Sequence, residues 1–170
     1  MLHILSIALV LQLHDFAGTP PSVIQNAERE LTRVYDAIGV HVEWDNAAQH
    51  ANEGAALHVI LVAHEEGDLR RTRESVMAAT LRTAKGTPVV YVFYRRVEAE
   101  ASRYAVSVDL VLACALAHEL GHVLMPERRH SKEGLMRACW GRDDFHRANQ
   151  GQLRFSADEA VRIRTSLSTP

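Results

Sequence analysis

The sequence predicts an α/β (α+β) domain built on one mixed, twisted sheet. Three observations carry that expectation. Short β-branched apolar runs recur through the first half of the chain, one amphipathic helix separates the first two of them, and a long, almost wholly apolar helical stretch follows the last. At 170 residues the chain suits a single domain, with residues 1–125 forming the sheet and the long helix and residues 126–170 a short C-terminal subdomain.

The opening run, MLHILSIALVLQLHDF, is too short to span a bilayer. No Lys or Arg precedes it and no small-x-small cleavage site follows, so it reads as a buried first strand rather than a signal peptide, with no export signal of its own. A helix is expected over 22–38, because Val23, Ala27, Leu31, Val34 and Ile38 form one stripe and Gly39 follows as the C-terminal glycine. VHVEW (40–44) alternates as a short strand, and ALHVILVAH (56–64) reads as a more buried one. SVMAATL (75–81) is a weak edge strand, and TPVVYVFY (87–94) is the strongest strand, being rich in β-branched and aromatic residues. Residues 106–125 form a buried helix that Pro126 stops, since a proline disfavours helical geometry in the residue before it. An irregular segment follows. FSADEAVRIRTSL then opens a last helix with a capping box from Ser156 to Glu159 and an apolar face of Ala160, Val161, Ile163 and Leu167.

Hydrophobic residues make up 47% and charged ones 24%, which separates the chain from disordered sequences. A net charge of -2 provides no basic field for nucleic acid, and no run is long enough for a membrane span. The basic spots at Arg70, Arg71 and Arg73, at Arg95 and Arg96, and at Arg128 and Arg129 read as solvated surface, and a monomer is expected. Cys114 and Cys139 cannot define a disulfide framework; Cys114 reads as core and Cys139 as a buried thiol.

The chemistry is concentrated in HELGHVLMPERRHS (118–131). Residues four apart on a helix share a face, so His118 and His122 can aim imidazole nitrogens at one ion. Glu119 is rotated away from that pair and can instead reach a water on the open side of a metal. A catalytic zinc takes three protein ligands and one exchangeable water, and His130 is the natural third ligand once the chain turns after Pro126. With ten histidines in the chain, an HExxH match alone is only suggestive. Its position inside an apolar helix, where unpartnered polar groups would be costly, makes a metal site the better reading. His3, His14, His41, His50, His58 and His64 lack ligand spacing and read as surface or core histidines, while His146 is a candidate to line the cleft.

These residues resemble the zincin metallopeptidases, and within them the metzincin-like clan, whose signature is HExxHxxGxxH followed by a methionine in a tight turn. The matching pieces are His118-Glu119-Leu120-Gly121-His122, His130-Ser131 and Gly134-Leu135-Met136. The wording is similar to the matrixin branch, and closer to small bacterial proteins with a longer His-to-His gap and an HS..G(I/L)M.A.W pattern. The specific match covers about residues 115–140; the rest of the chain agrees in element order only. The resemblance implies a metzincin-like fold, a Met-turn at Met136 and zinc-dependent proteolysis. The sequence departs from the signature in two ways. Eight positions separate His122 from His130 where the signature has six, and Met125 stands where the family's glycine turns the chain. Glu127, Asp143 and Asp144 therefore stand as substitutes for His130, and Glu159 as the third ligand of a thermolysin-like arrangement.

The expected reaction is hydrolysis of a peptide bond in a peptide or protein substrate, with Zn2+ held by His118, His122 and His130 and Glu119 as general base. Residues between the second and fifth strands would form the cleft's upper rim, where an extended substrate could pair with an edge strand. The alternative is a zinc-binding, non-proteolytic module on the same fold. Glu119 argues against it, because a purely structural zinc needs no base.

Overall fold

The structure, a computed structural model, describes residues 7–45, 56–65, 76–125 and 129–168. Strand β1 (Ile7–Asp15) runs through the interior of the sheet, and its Leu9 and Leu11 point into the core. It pairs in parallel with β2 (Val40–Trp44) on one side and with β3 (Leu57–Val62) on the other. β3 pairs in parallel with β5 (Pro88–Phe93), and β4 (Ala78–Arg82) closes that edge antiparallel to β5. The order is β2-β1-β3-β5-β4. Among the described residues, four strands thus share a direction and one edge strand runs against them, the mixed sheet expected from the sequence.

Helix α1 (Pro21–Asp36) starts with a proline, whose missing N–H is no loss in a first helical turn. It buries Ala27, Leu31 and Tyr35, and packs on β2 and on α3 (Val108–Leu124). Gly39, at φ 75°, takes the left-handed conformation that swings the chain into β2. Helix α3 is buried nearly all round, with Leu112, Leu116 and Leu120 fully enclosed, as its apolar sequence requires. Helix α5 (Ala157–Ser168) lays Ala160 and Ile163 toward α3 and β1. Its start is the expected capping box: the Ser156 N–H donates to Glu159 Oε2 at 2.7 Å, and the Glu159 N–H donates to Ser156 Oγ at 3.3 Å.

Two helices correct the expected order. α2 (Tyr94–Tyr104) stands between the last strand and α3, and α4 (Arg142–Asn149) occupies part of the segment expected to be irregular. α2 buries only Tyr94, Val97 and Ala101, a narrow stripe in a polar sequence. It also ends on Ala105 at φ 54°, so no glycine marks its stop. α4 is two turns long and equally polar outside Phe145 and Ala148.

Arg96 is a further correction, for it is not solvated surface. Its side chain is 18% exposed and ion-pairs with Glu65, its Nη1 donates to the Val76 carbonyl at 2.6 Å, and its guanidinium lies 4.9 Å from the Phe93 ring centre. Arg95 is exposed beside Glu98, and Arg129 is exposed. Arg70, Arg71, Arg73, Arg128, His3, His50, Pro126 and Glu127 lie outside the described residues. Among the described residues no helix is long and apolar enough to cross a membrane.

Candidate metal centre

Helix α3 presents His118 and His122 one turn apart, and the segment beyond it returns His130 to the same place. The Nε2 of His122 lies 3.0 Å from that of His118 and 3.2 Å from that of His130. His118 is buried, His122 half-buried and His130 exposed, so the group opens outward from the core. The rings of His118 and His122 meet edge to face, whereas those of His118 and His130 lie nearly parallel at 5.2 Å.

The state of His118 follows from its neighbours. Its Nδ1 is 2.9 Å from the Leu135 carbonyl, which can only accept, so Nδ1 carries the proton and a neutral ring offers a bare Nε2. Burial holds the ring's pKa below the ordinary histidine value. Nearby His130 adds to the lowering, while the Leu135 hydrogen bond and the charge of Glu159 oppose it. A neutral imidazole with a bare Nε2 is the form that ligates a metal.

Hydrogen bonding alone does not account for the group. If the His122 Nε2–H donates to His118, the same proton cannot also point squarely at His130. If His122 instead accepts from His130, two bare nitrogens face each other 3.0 Å apart. A shared cation removes the conflict. Two nitrogens each 2.0–2.1 Å from a tetrahedral ion lie about 3.3–3.4 Å apart, close to both separations seen. His118, His122 and His130 are therefore a set that can hold a metal ion.

Glu119 sits on the neighbouring helical position and lines, with the three histidines, a cleft of about 800 Å³. The Thr80 hydroxyl of β4 donates to Glu119 Oε2 at 3.0 Å. Val76, Met77, Ala78 and Thr80 form one wall, which places the antiparallel edge of the sheet along the cleft. Tyr104 and Trp140 also line it, and the Trp140 ring stands perpendicular to His118 at 5.4 Å. No sequence signal marks Thr80, since its strand is weak and its partner is 39 residues away. Trp140 enters only through the wording of the family resemblance.

The turn after His130 is fixed from several sides. Ser131 N–H donates to the Met136 carbonyl at 2.8 Å and Leu135 N–H to the Arg154 carbonyl at 3.0 Å. Met136 is fully buried against Gly121, the position inside HELGH where a side chain would collide with it. α3 itself stops without a glycine, because Met125 adopts extended geometry at φ -102°.

The rival ligands are otherwise engaged, apart from Asp143 and the undescribed Glu127. Asp143 is exposed at the start of α4. Asp144 is buried and accepts from Arg137 at 2.8 Å, Arg147 at 2.6 Å and the Gly141 N–H at 3.0 Å. Burial pushes its carboxyl up, but the Gly141 amide and the two guanidinium groups outweigh that and hold it below the usual carboxylate value. Glu159 faces Ser156 and Ser131 rather than the histidines. His146 is exposed and bonded to Gln150, away from the cleft. Cys114 is core, its thiol pushed up to about 12 by burial, but Cys139 is exposed in the cleft, against the expected buried thiol. His14 and His58 are hydrogen-bonded neighbours on β1 and β3 at 3.3 Å, and His41 and His64 are exposed. The sequence matches no protein-family model and no curated protein.

Proposed function

We propose that the protein is a zinc-dependent endopeptidase of the metzincin-like zincin type, with His118, His122 and His130 as ligands and Glu119 as general base. The observation that carries the reading is the convergence of three Nε2 atoms, at 3.0 and 3.2 Å, in a cleft shared with Glu119. Support for the family comes from the HELGH helix packed behind an antiparallel edge strand, and from Met136 buried beneath that helix in the turn after His130.

Zinc, when bound, supplies a Lewis acid that lowers the pKa of a water and polarises a carbonyl. The chain's residues do the rest. Glu119 takes a proton from the attacking water on its carboxylate and hands it to the departing amine. Thr80 holds Oε2 of that carboxylate, so the base faces the cleft in a set orientation. Among the described residues β4 has one strand neighbour, β5, and its other edge can pair with an extended peptide, which would lay the scissile bond across the histidines. Trp140 and Tyr104 give the cleft apolar walls for a substrate side chain.

The test is zinc content of the purified protein together with cleavage of an unfolded protein substrate by wild type and Glu119→Ala. Bound zinc with cleavage lost in the variant is expected. Zinc retained with no cleavage by either form would favour a non-proteolytic zinc module, and absence of zinc would end the metal reading.

A further inference from the structure

We propose that Glu159 is a positioning residue for the third histidine: acting through the Ser131 hydroxyl, it fixes His130 and so tightens cation binding. The assignment rests on the metal reading above and says what aims its least constrained ligand.

His118 and His122 are held by a buried helix, but His130 is not. It is exposed, and eight positions of chain separate it from His122. α3 ends in extended geometry at Met125, so His130 is not carried by the helix. Among the described residues, the hold on it comes from its far side. Ser131 is its immediate neighbour, and Ser131 is held twice: its N–H donates to the Met136 carbonyl at 2.8 Å, and its Oγ donates to Glu159 Oε1.

Glu159 is a firm anchor for that bond. It is 5% exposed, and its second oxygen accepts the Ser156 N–H at 2.7 Å in the capping box of α5. α5 in turn packs its buried Ile163 toward α3, the helix that carries the other two histidines. One side chain therefore ties the ligand loop to the scaffold that holds the rest of the site. Fixing the loop before an ion arrives removes an ordering cost that binding would otherwise carry.

The experiment is zinc affinity, measured by chelator competition on the full chain. Ser131→Ala removes the link but leaves the Ser156–Glu159 cap intact, so it separates positioning from helix stability. Ser131→Ala and Glu159→Ala are each expected to weaken zinc binding by about 10–100-fold, the range seen for residues that orient ligands. Ser131→Thr, which keeps a hydroxyl, should stay near wild type. In a His130→Ala background Ser131→Ala should change nothing further, because the link acts through His130. Wild-type affinity in Ser131→Ala would overturn the assignment alone, as would an equal loss with and without His130. A wild-type protein that binds no zinc would overturn the metal reading and this assignment together. If Glu159→Ala fails to fold, Ser131→Ala and its rescue by threonine decide the matter.

Discussion

Replacing Gly121 with alanine sets two effects of known size against each other at the base of the site. A β-carbon there would stand 2.6 Å from Met136 Sδ, 3.0 Å from Phe155 Cε1 and 3.3 Å from Met136 Cε. Favourable contact needs about 3.5–4.0 Å, so the sulfur must retreat by about 1 Å. It has little room, since Met136 is fully buried and Phe155 packs edge-on against the buried Tyr35 ring at 5.4 Å. Overpacking of this kind costs about 1–3 kcal/mol. Methionine is flexible, which places the expected cost near the middle of that range. Against it, alanine is favoured over glycine inside a helix by about 1 kcal/mol. Gly121→Ala should therefore destabilise the metal-free protein by about 1 kcal/mol net, read as a lower urea midpoint at unchanged slope. Met136→Ala should relieve the clash, so the double variant should show a coupling of at least about 1 kcal/mol. The displaced Met136 also adjoins Leu135, whose carbonyl holds His118, so on the metal reading zinc binding should weaken in Gly121→Ala. A variant about 1 kcal/mol more stable than wild type would mean helix propensity acts unopposed, and the packing argument would be refuted.

On the proposed reading, Thr80→Val should lower kcat for peptide cleavage by about tenfold with KM and zinc content little changed, and Thr80→Ser should restore it, because the bond sets the orientation of the base. Equal kcat in Thr80→Val would show that the bond to Glu119 is idle. Asp144→Ala should cost about 2–3 kcal/mol of stability, by loss of hydrogen bonds to a buried charged group. Its folded pKa lies below the unfolded value of about 3.9, so its contribution is complete above that value and is lost as pH falls through the folded pKa. The gap in urea midpoint between wild type and Asp144→Ala should be constant well above about pH 4 and narrow as the pH falls below it, and a gap unchanged in acid would contradict the ion-pair account. Ser156→Ala should destabilise the chain by about 1 kcal/mol in thermal or urea melts, because it removes the Oγ that caps the Glu159 N–H.

Much of this was legible because it depends on local pattern. The strands announce themselves by β-branched alternation, α1 by its stripe and Gly39, and α5 by the serine and glutamate three apart. HELGH fixes two nitrogens and one carboxylate through helical geometry alone, which is why the His118–His122 pair needs no tertiary information. The elements that escaped are those whose identity is decided by distant contacts. α2 and α4 are polar helices with narrow buried stripes, stabilised by packing that no local period reports. Arg96 looks like surface until Glu65 and Val76 close around it, and Thr80 gains its partner only when β4 pairs beside β5. The side of Cys139 that faces the cleft depends on the turn geometry between His130 and α4, which length alone does not specify.

The grip of Arg96 has a consequence for how this protein can vary. Glu65 and Val76 flank residues 66–75, and both are held by one side chain rooted in α2. Closing a longer connection between two fixed ends is cheap, at about 0.6 kcal/mol for each doubling of length. Insertions between those anchors therefore need not move Met77, Ala78 and Thr80 from their places along the cleft. Chain length between the anchors and the shape of that wall can therefore change independently over evolution.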